Sequence, residues 1–367
     1  MIVIADDITG AAEIAGIAFI HGQQVRLLCG ASGCDGFVSS CPTATDKTIV
    51  VATDTRSMTE AEAVAETRRV ISCFSFPVPH SPFPVFKKTD SALRGHVIAE
   101  LSALMEATGY RRAVYLPANP SKGRIIKRGV YYINNVPLHE TDFSFDPEFP
   151  AKTSALKERF PDAESKGIMI PDATFLDDIR RVVAEYNDGK TLFAGAADLF
   201  DAIISHFGET KITRSYSVSR PTTLILCGST QSKPLESGIP VAPMPREVYD
   251  GSADISLWNT ADYVKTHNLI LTMPYSHRTG KEAAVHLRTV MALKAKELIE
   301  QYCPDHLIIE GGATAWATLQ TLGWQHFDIE AQIAPGVVQM SATGGTLVTL
   351  KPGSYPWGNL FSCSTNK

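Results

Sequence analysis

Three short polar clusters, each following an apolar run, carry residue types suited to acid–base and anion-binding chemistry. The first is Asp6-Asp7, reached directly from the apolar run at 2–5 and followed by Thr9-Gly10. A carboxylate here can accept a hydrogen bond or a proton from a hydroxyl. It can equally cap the following helix, whose N-terminus favours negative charge, and both readings stand. The second cluster is Lys87-Lys88-Thr89-Asp90-Ser91 with Leu93-Arg94-Gly95. A solvated face would also be charged. At a strand-to-helix junction, however, side-chain donors and helix-terminal N–H groups converge in a way that suits a carboxylate or phosphate. The third is Asp54-Thr55-Arg56, whose guanidinium fork suits a bidentate pair with a carboxylate.

The second half of the chain offers glycines instead. Gly228-Ser229-Thr230 follows the run TLILC, and Gly311-Gly312-Ala313-Thr314 follows HLIIE; Pro335-Gly336 and Lys351-Pro352-Gly353 come later. Glycine between strand and helix lets backbone amides approach a phosphate, and the helix N-terminus adds about half a positive charge. None of these matches GxxxxGK[ST] or GxGxxG, so the weight lies on their joint occurrence at strand ends. A further segment, Pro117-Ala118-Asn119-Pro120 with Gly123-Arg124 and Gly129, reads as a Pro/Gly turn with a basic rim.

The elements that must hold these clusters alternate. A strand at 2–5 precedes a helix ending near Gly22. Further strands are VRLLCG, TIVVA, VFKK and RRAVYL, with helices over TEAEAVAETRRVI and from about Arg94 to Ala107 between them. Thr59 and Glu62 form a capping box. Such alternation means an α/β domain with a mainly parallel sheet, whose ligands sit beyond the carboxyl ends of the strands. A second alternation begins at TTLILC and continues through LILT, a long helix near Lys281 to Tyr302, HLIIE and ATAWATLQTLG. Two Rossmann-like three-layer domains, 1–218 and 219–367, facing an inter-domain cleft are expected, with a linker at KITRSYSVSRP and a hinge near Arg214 to Pro221.

Composition excludes other classes. The chain has 367 residues, 44% of them hydrophobic and 20% charged, with a net charge of -5. It therefore offers no overall positive field for nucleic acid or an anionic membrane, and no uninterrupted apolar stretch long enough to span a bilayer. Seven scattered cysteines and no recognisable export signal point to reduced thiols and a cytoplasmic setting. Cys29, Cys34 and Cys41 lack the paired short knuckles of structural zinc.

Taken together, these segments resemble the four-carbon acid sugar kinase family of threonate, erythronate and 3-oxo-tetronate kinases. The resemblance rests on IADDITGAAE, DTRS, KKTDSALRGH and LPANPSKGR…VPLHETDFSFDPEFP, then on GST, GGATA, APG and LKPGSY. The chain departs from the family's usual pattern at Ala313, where an acid is common, and at Tyr355-Pro356, where Phe-Gly is. The resemblance implies an ATP-dependent kinase acting on the terminal hydroxyl of a four-carbon acid, with Mg2+, the acid held by the N-terminal domain and the nucleotide by the C-terminal one. Carried over by position, Asp6, Arg56, Lys88, Thr89, Asp90 and Ser91 contact the acid, with Arg94 near by. Ser229, Gly311, Gly312, Thr314, Gly336 and Gly353 line the ATP site. Within that frame Arg56 and Lys88 clamp the carboxylate, and Asp6 is the base, with Asp90 next in order. The partners are then small molecules, and the residues do not decide between a monomer and a homodimer. Two other readings are a phosphatase or hydrolase of a small phosphate ester, which would need no ATP, and a nucleotide or metabolite sensor, which would bind ATP without releasing ADP.

Overall fold

A computed structural model describes residues 1–34, 47–74, 85–146, 148–186, 188–206, 222–229, 235, 237–353 and 355–357. The chain divides into two compact units, Met1–Ile212 and Thr213–Lys367. The segment read as linker and hinge lies outside the described residues, as does Thr230.

In the first unit the strands are β1 (Ile2–Ala5), β2 (Gln24–Cys29), β3 (Lys47–Ala52), β4 (Val85–Lys88), β5 (Arg112–Leu116), β9 (Ile168–Met169) and β10 (Thr191–Gly195). They form a parallel sheet in the order β2-β3-β1-β4-β10-β5-β9. Its central strands read as unbroken apolar runs because both faces are covered, and every residue of β1 is buried. The helices are α1 (Ile8–Ile20), α2 (Glu60–Ser72), α3 (Val97–Thr108), α4 (Leu156–Arg159), α5 (Leu176–Tyr186) and α6 (Ala197–His206). A small antiparallel sheet of β6 (Arg124–Lys127), β7 (Val130–Ile133) and β8 (Val136–Pro137) fills the stretch that the sequence shows only as polar loop with short extended pieces.

The chain passes from β1 to β2, returns to β3 beside β1, and then crosses to β4 on β1's other side. That reversal makes the carboxyl ends of β1, β3 and β4 the switch point of the sheet, the place where open α/β sheets bind their ligands. All three acid-and-base clusters of this half follow those strand ends.

Two local details differ from expectation. Helix α3 begins at Val97, not near Arg94. Leu93 and Gly95 hold positive φ angles of 62° and 93°, and Asp90 turns its carboxylate onto the Ala92 amide at 2.9 Å, so the chain makes a side-chain-braced turn first. Lys87, read as part of the polar cluster, is instead a tie within the fold. Its ammonium donates to Glu100 of α3 at 2.6 Å, and the same carboxylate accepts from Thr55 and Thr67 at 2.8 and 3.3 Å.

In the second unit the strands are β11 (Thr223–Cys227), β12 (Val241–Pro243), β13 (Asn268–Thr272), β14 (His306–Glu310), β15 (His326–Ala334), β16 (Val337–Ala342) and β17 (Leu347–Lys351). The helices are α7 (Arg246–Asp250), α8 (Asp262–Thr266), α9 (Lys281–Tyr302) and α10 (Gly312–Leu322). The order is β12-β13-β11-β14-β17-β16-β15, parallel as far as β17, with β16 antiparallel to both its neighbours. The antiparallel end is additional to the parallel sheet expected. Its signature is the alternation of β15, in which Phe327, Ile329, Ala331 and Ile333 are buried and Asp328 and Glu330 are exposed.

Gly195 closes β10 where that strand meets the site, and its carbonyl accepts from the Thr89 amide at 3.0 Å. A Cβ there would lie 2.1 Å from the Leu116 carbonyl oxygen, which is backbone and cannot rotate away. Gly195→Ala is expected to lower stability by about 1–3 kcal/mol, the usual cost of overpacking, read as a fall in melting temperature.

Candidate active site

Asp6 and Asp7 take different jobs. Asp7 caps α1, its Oδ1 accepting from the Gly10 amide at 2.8 Å and its Oδ2 from the Thr9 hydroxyl at 2.7 Å. Asp6 caps nothing. It is 2% exposed and faces Arg56, whose Nη2 lies 3.0 Å from both carboxylate oxygens and whose Nε lies 3.2 Å from Oδ2. The same guanidinium donates from Nη1 to Asp7 at 3.2 Å and comes within 3.6 Å of Asp90. Arg56 reaches this position because the chain leaves β3 through Asp54 in the left-handed region (φ 54°) into a short 3-10 turn. Three protein carboxylates therefore already surround the guanidinium that the resemblance assigns to the substrate acid.

Asp90 is held from the opposite side by Arg94, with Nε at 2.9 Å from Oδ2 and Nη2 at 3.0 Å from Oδ1. Lys88 donates to the Thr89 carbonyl at 2.9 Å and stands 3.8 Å from Glu13 of α1, which also accepts from Lys122. The hydroxyls of Thr89 and Tyr115 are buried beside one another without a well-aligned hydrogen bond. Ser91 receives two contacts from the β6–β7 hairpin: Arg124 donates to its hydroxyl, and the Tyr131 hydroxyl donates to its carbonyl at 2.5 Å. Thus Asp6, Arg56, Lys88, Thr89, Asp90, Ser91 and Arg94 gather at one sheet edge. Sequence reading missed Glu13, Lys122 and Arg124; the segment taken as a plain turn with a basic rim packs directly onto this cluster.

The shared guanidinium separates the acids electrostatically. Burial pushes the Asp6 carboxyl above its ordinary value, although Arg56 pulls the other way. Burial acts on Asp90 in the same sense, but Arg56 and Arg94 together outweigh it and hold that carboxyl well below the usual range. Asp7 is also lowered, Arg56, Lys88 and the Thr9 bond overcoming the cost of its burial. One cluster therefore contains a basic carboxylate beside two firmly ionised ones.

In the second unit the glycines meet at the carboxyl ends of adjacent parallel strands β11, β14 and β17. A Cβ on Gly353 would fall 2.0 Å from the Ser229 hydroxyl, one on Gly228 1.9 Å from that of Thr314, and one on Gly311 3.5 Å from Ser229 Cβ. The Gly311 amide donates to the Lys351 carbonyl at 2.9 Å. Helix α10 starts at Gly312 with no side-chain cap, so its first amides are suited to an anion. Gly336 lies in the β15–β16 turn and joins this edge through Tyr355, whose ring a Cβ there would meet at 2.3 Å. Beneath the loops, buried Lys351 pairs with buried Glu310. Among the described residues no three His, Cys, Asp or Glu side chains are placed to hold a metal ion, and no helix is long and apolar enough to cross a membrane.

An α/β protein with an acid–guanidinium cluster in one unit and a glycine-lined strand edge in the other is the class so defined. Comparison with known proteins gives it a family. Residues 1–188 match the model of a sugar-binding N-terminal domain, and residues 265–355 that of a nucleotide-binding C-terminal domain. The chain belongs to the four-carbon acid sugar kinase family. It is 33% identical to the D-threonate kinase of Salmonella typhimurium over 183 residues, a match covering 49% of this chain and 40% of that protein. It is 25% identical to the 3-oxo-tetronate kinase of Brucella melitensis over 96% of this chain and 92% of the relative. A Haemophilus influenzae protein of the DUF1537 family shares the fold at a TM-score of 0.71, with 21% identity and 98% of each chain covered.

The Asp90 contribution has a definite sign. Its folded-state value is depressed, so the stability it adds is present above the ordinary carboxylate value near pH 4 and is lost as pH falls through the folded value. Asp90→Asn is expected to cost about 3 kcal/mol at pH 7, because Arg94 keeps only the longer contact to Asp146 at 3.5 Å and Arg56 loses one of its three acids, and the gap from wild type should narrow in thermal melts below about pH 4. A gap that does not change with pH would mean the lost stability is packing, not charge.

Proposed function

We propose that the protein is an ATP-dependent kinase that phosphorylates the terminal hydroxyl of a four-carbon sugar acid. The observation that carries this reading is the Asp6–Arg56–Asp90 cluster at the switch point of the unit matched by the sugar-binding family model. Relatives named as kinases of threonate, erythronate and 3-oxo-tetronate support the substrate class.

Phosphoryl transfer asks a protein for in-line positioning and charge stabilisation rather than covalent chemistry. The substrate hydroxyl donates to Asp6, the carboxylate whose burial makes it the most basic of the three. Its oxygen attacks the terminal phosphorus of ATP as the bond from that phosphorus to the bridging oxygen breaks, and Asp6 takes the proton. Asp90, held ionised, accepts hydrogen bonds from the other hydroxyls and does not serve as base. Arg56 keeps Asp6 in place. Ser229, Gly311, Gly312, Thr314, Gly336 and Gly353 receive the nucleotide phosphates, with no room for a Cβ at Gly336 and Gly353. Mg2+ enters as part of the substrate MgATP, coordinated chiefly by phosphate oxygens. The three unit-one carboxylates close on Arg56 and do not form a vacant cation cage.

A coupled ADP-release assay over four-carbon sugar acids and their stereoisomers tests the reading. ADP formation that depends on one of these acids is expected; phosphate release from an ester without ATP would instead favour a hydrolase. Asp6→Asn is expected to lower kcat by a factor of roughly 10² or more while the acid still shifts the melting curve. Gly228→Ala drives a methyl into Thr314 at the start of α10 and is expected to raise the KM for ATP, leaving that for the acid unchanged.

A further inference from the structure

The carboxylate of an acid substrate needs a cation that the protein has not already neutralised. Arg56 is surrounded by Asp6, Asp7 and Asp90. Arg94 grips Asp90 with two nitrogens, and Lys88 and Lys122 share Glu13. Arg159 donates to the Leu93 carbonyl at 2.9 Å and lies against the Phe160 ring. Arg124 shares with Arg159 the lack of a carboxylate partner, but it alone of these cations is set against a side-chain hydroxyl of the Lys88–Ser91 cluster. Among the described residues its guanidinium meets the neutral Ser91 hydroxyl and the face of Phe143, 5.9 Å from the ring centroid, and no carboxylate.

Arg124 is also firmly mounted. Its backbone exchanges hydrogen bonds with Asn119 at 2.7 and 3.1 Å, and β6 pairs with β7, whose Tyr131 fixes the Ser91 carbonyl. The turn before it needs Gly123, which has φ 66° and no room for a Cβ beside the Asn134 side chain, 2.2 Å away. Phe143 lies under both Arg94 and Arg124, which orients the two guanidinium planes on one ring. The hairpin thus sets one cation against the Ser91 hydroxyl, next in the chain to Asp90, where an anion would supply the charge that Arg124 lacks.

We infer that Arg124, with the Ser91 hydroxyl, receives the substrate carboxylate and so sets the preference for acids over uncharged polyols; this rests on the kinase reading above. A four-carbon acid bound this way places one end on the hairpin and offers its hydroxyls to Asp90 and Asp6. Arg56 is left to organise the acids, a role distinct from anion capture.

The test compares wild type, Arg124→Met and Arg124→Lys with the best acid of the panel and with the matching uncharged alditol. Arg124→Met keeps most of the stem that packs on Phe143. It is expected to raise the KM for the acid roughly 10–100-fold, to leave the KM for ATP unchanged, and to leave the alditol's turnover rate and binding at their wild-type level. Arg124→Lys should recover part of the loss. An unchanged KM for the acid overturns the inference, as does an equal loss for acid and alditol, which would mark a merely structural role. Calorimetric binding of the acid separates the two proposals. If wild type turns over no acid, the kinase reading fails; Arg124 is then judged by whether Arg124→Met abolishes the acid's binding, and acid binding that is the same in both, or absent from both, overturns the inference.

Discussion

A guanidinium buried among three carboxylates is the constraint around which the first unit is arranged. Arg56 could not be buried alone, because an unpaired charge removed from water costs far more than a fold can recover. The excess of acids likewise demands further cations, which Arg94 and Lys88 supply. Because the acids share a cation unequally, they are not chemically equal. Asp6 combines deep burial with one partner, whereas Asp90 has a guanidinium on each side. Difference in environment, with no difference in residue type, makes one aspartate a candidate base and the other a fixed acceptor.

The parallel sheet makes this crowding possible. Side chains from residues 6, 56 and 90 are far apart in the chain, yet they leave neighbouring strands that all end at one edge. Behind that edge the structure carries a second set of ties. Lys87 and Glu100 join β4 to α3, and Glu13 draws Lys88 and Lys122 toward α1. In the second unit the same logic is expressed with glycines. Two strand ends bring Gly228 and Gly353 so close to Thr314 and Ser229 that no Cβ fits, and Gly311 between them holds a φ of 97° that favours glycine.

Much of this was legible in the residues. Strand–helix alternation gave the α/β class, the capping box at Thr59 and Glu62 formed as expected, and the acid and base clusters fell at carboxyl ends of strands. Pairing was not legible. Nothing in DTRS says that Arg56 turns toward Asp6 rather than outward, because that depends on a left-handed Asp54 and on the strand order. Arg124 was passed over because a Pro/Gly turn with basic residues usually lies on the surface; here an antiparallel hairpin folds it back onto Ser91. Alternating polarity in β15 marks an antiparallel strand with one covered face, which strand–helix alternation alone does not show.

The most direct measurement is a crystal structure of the protein with a turned-over sugar acid and a non-hydrolysable ATP analogue. The account predicts the acid on the Met1–Ile212 unit, its terminal hydroxyl about 3 Å from an Asp6 oxygen and pointing at the last phosphorus of the analogue. An acid bound away from Asp6, or a reacting hydroxyl resting on Asp90 with Asp6 turned aside, would contradict it.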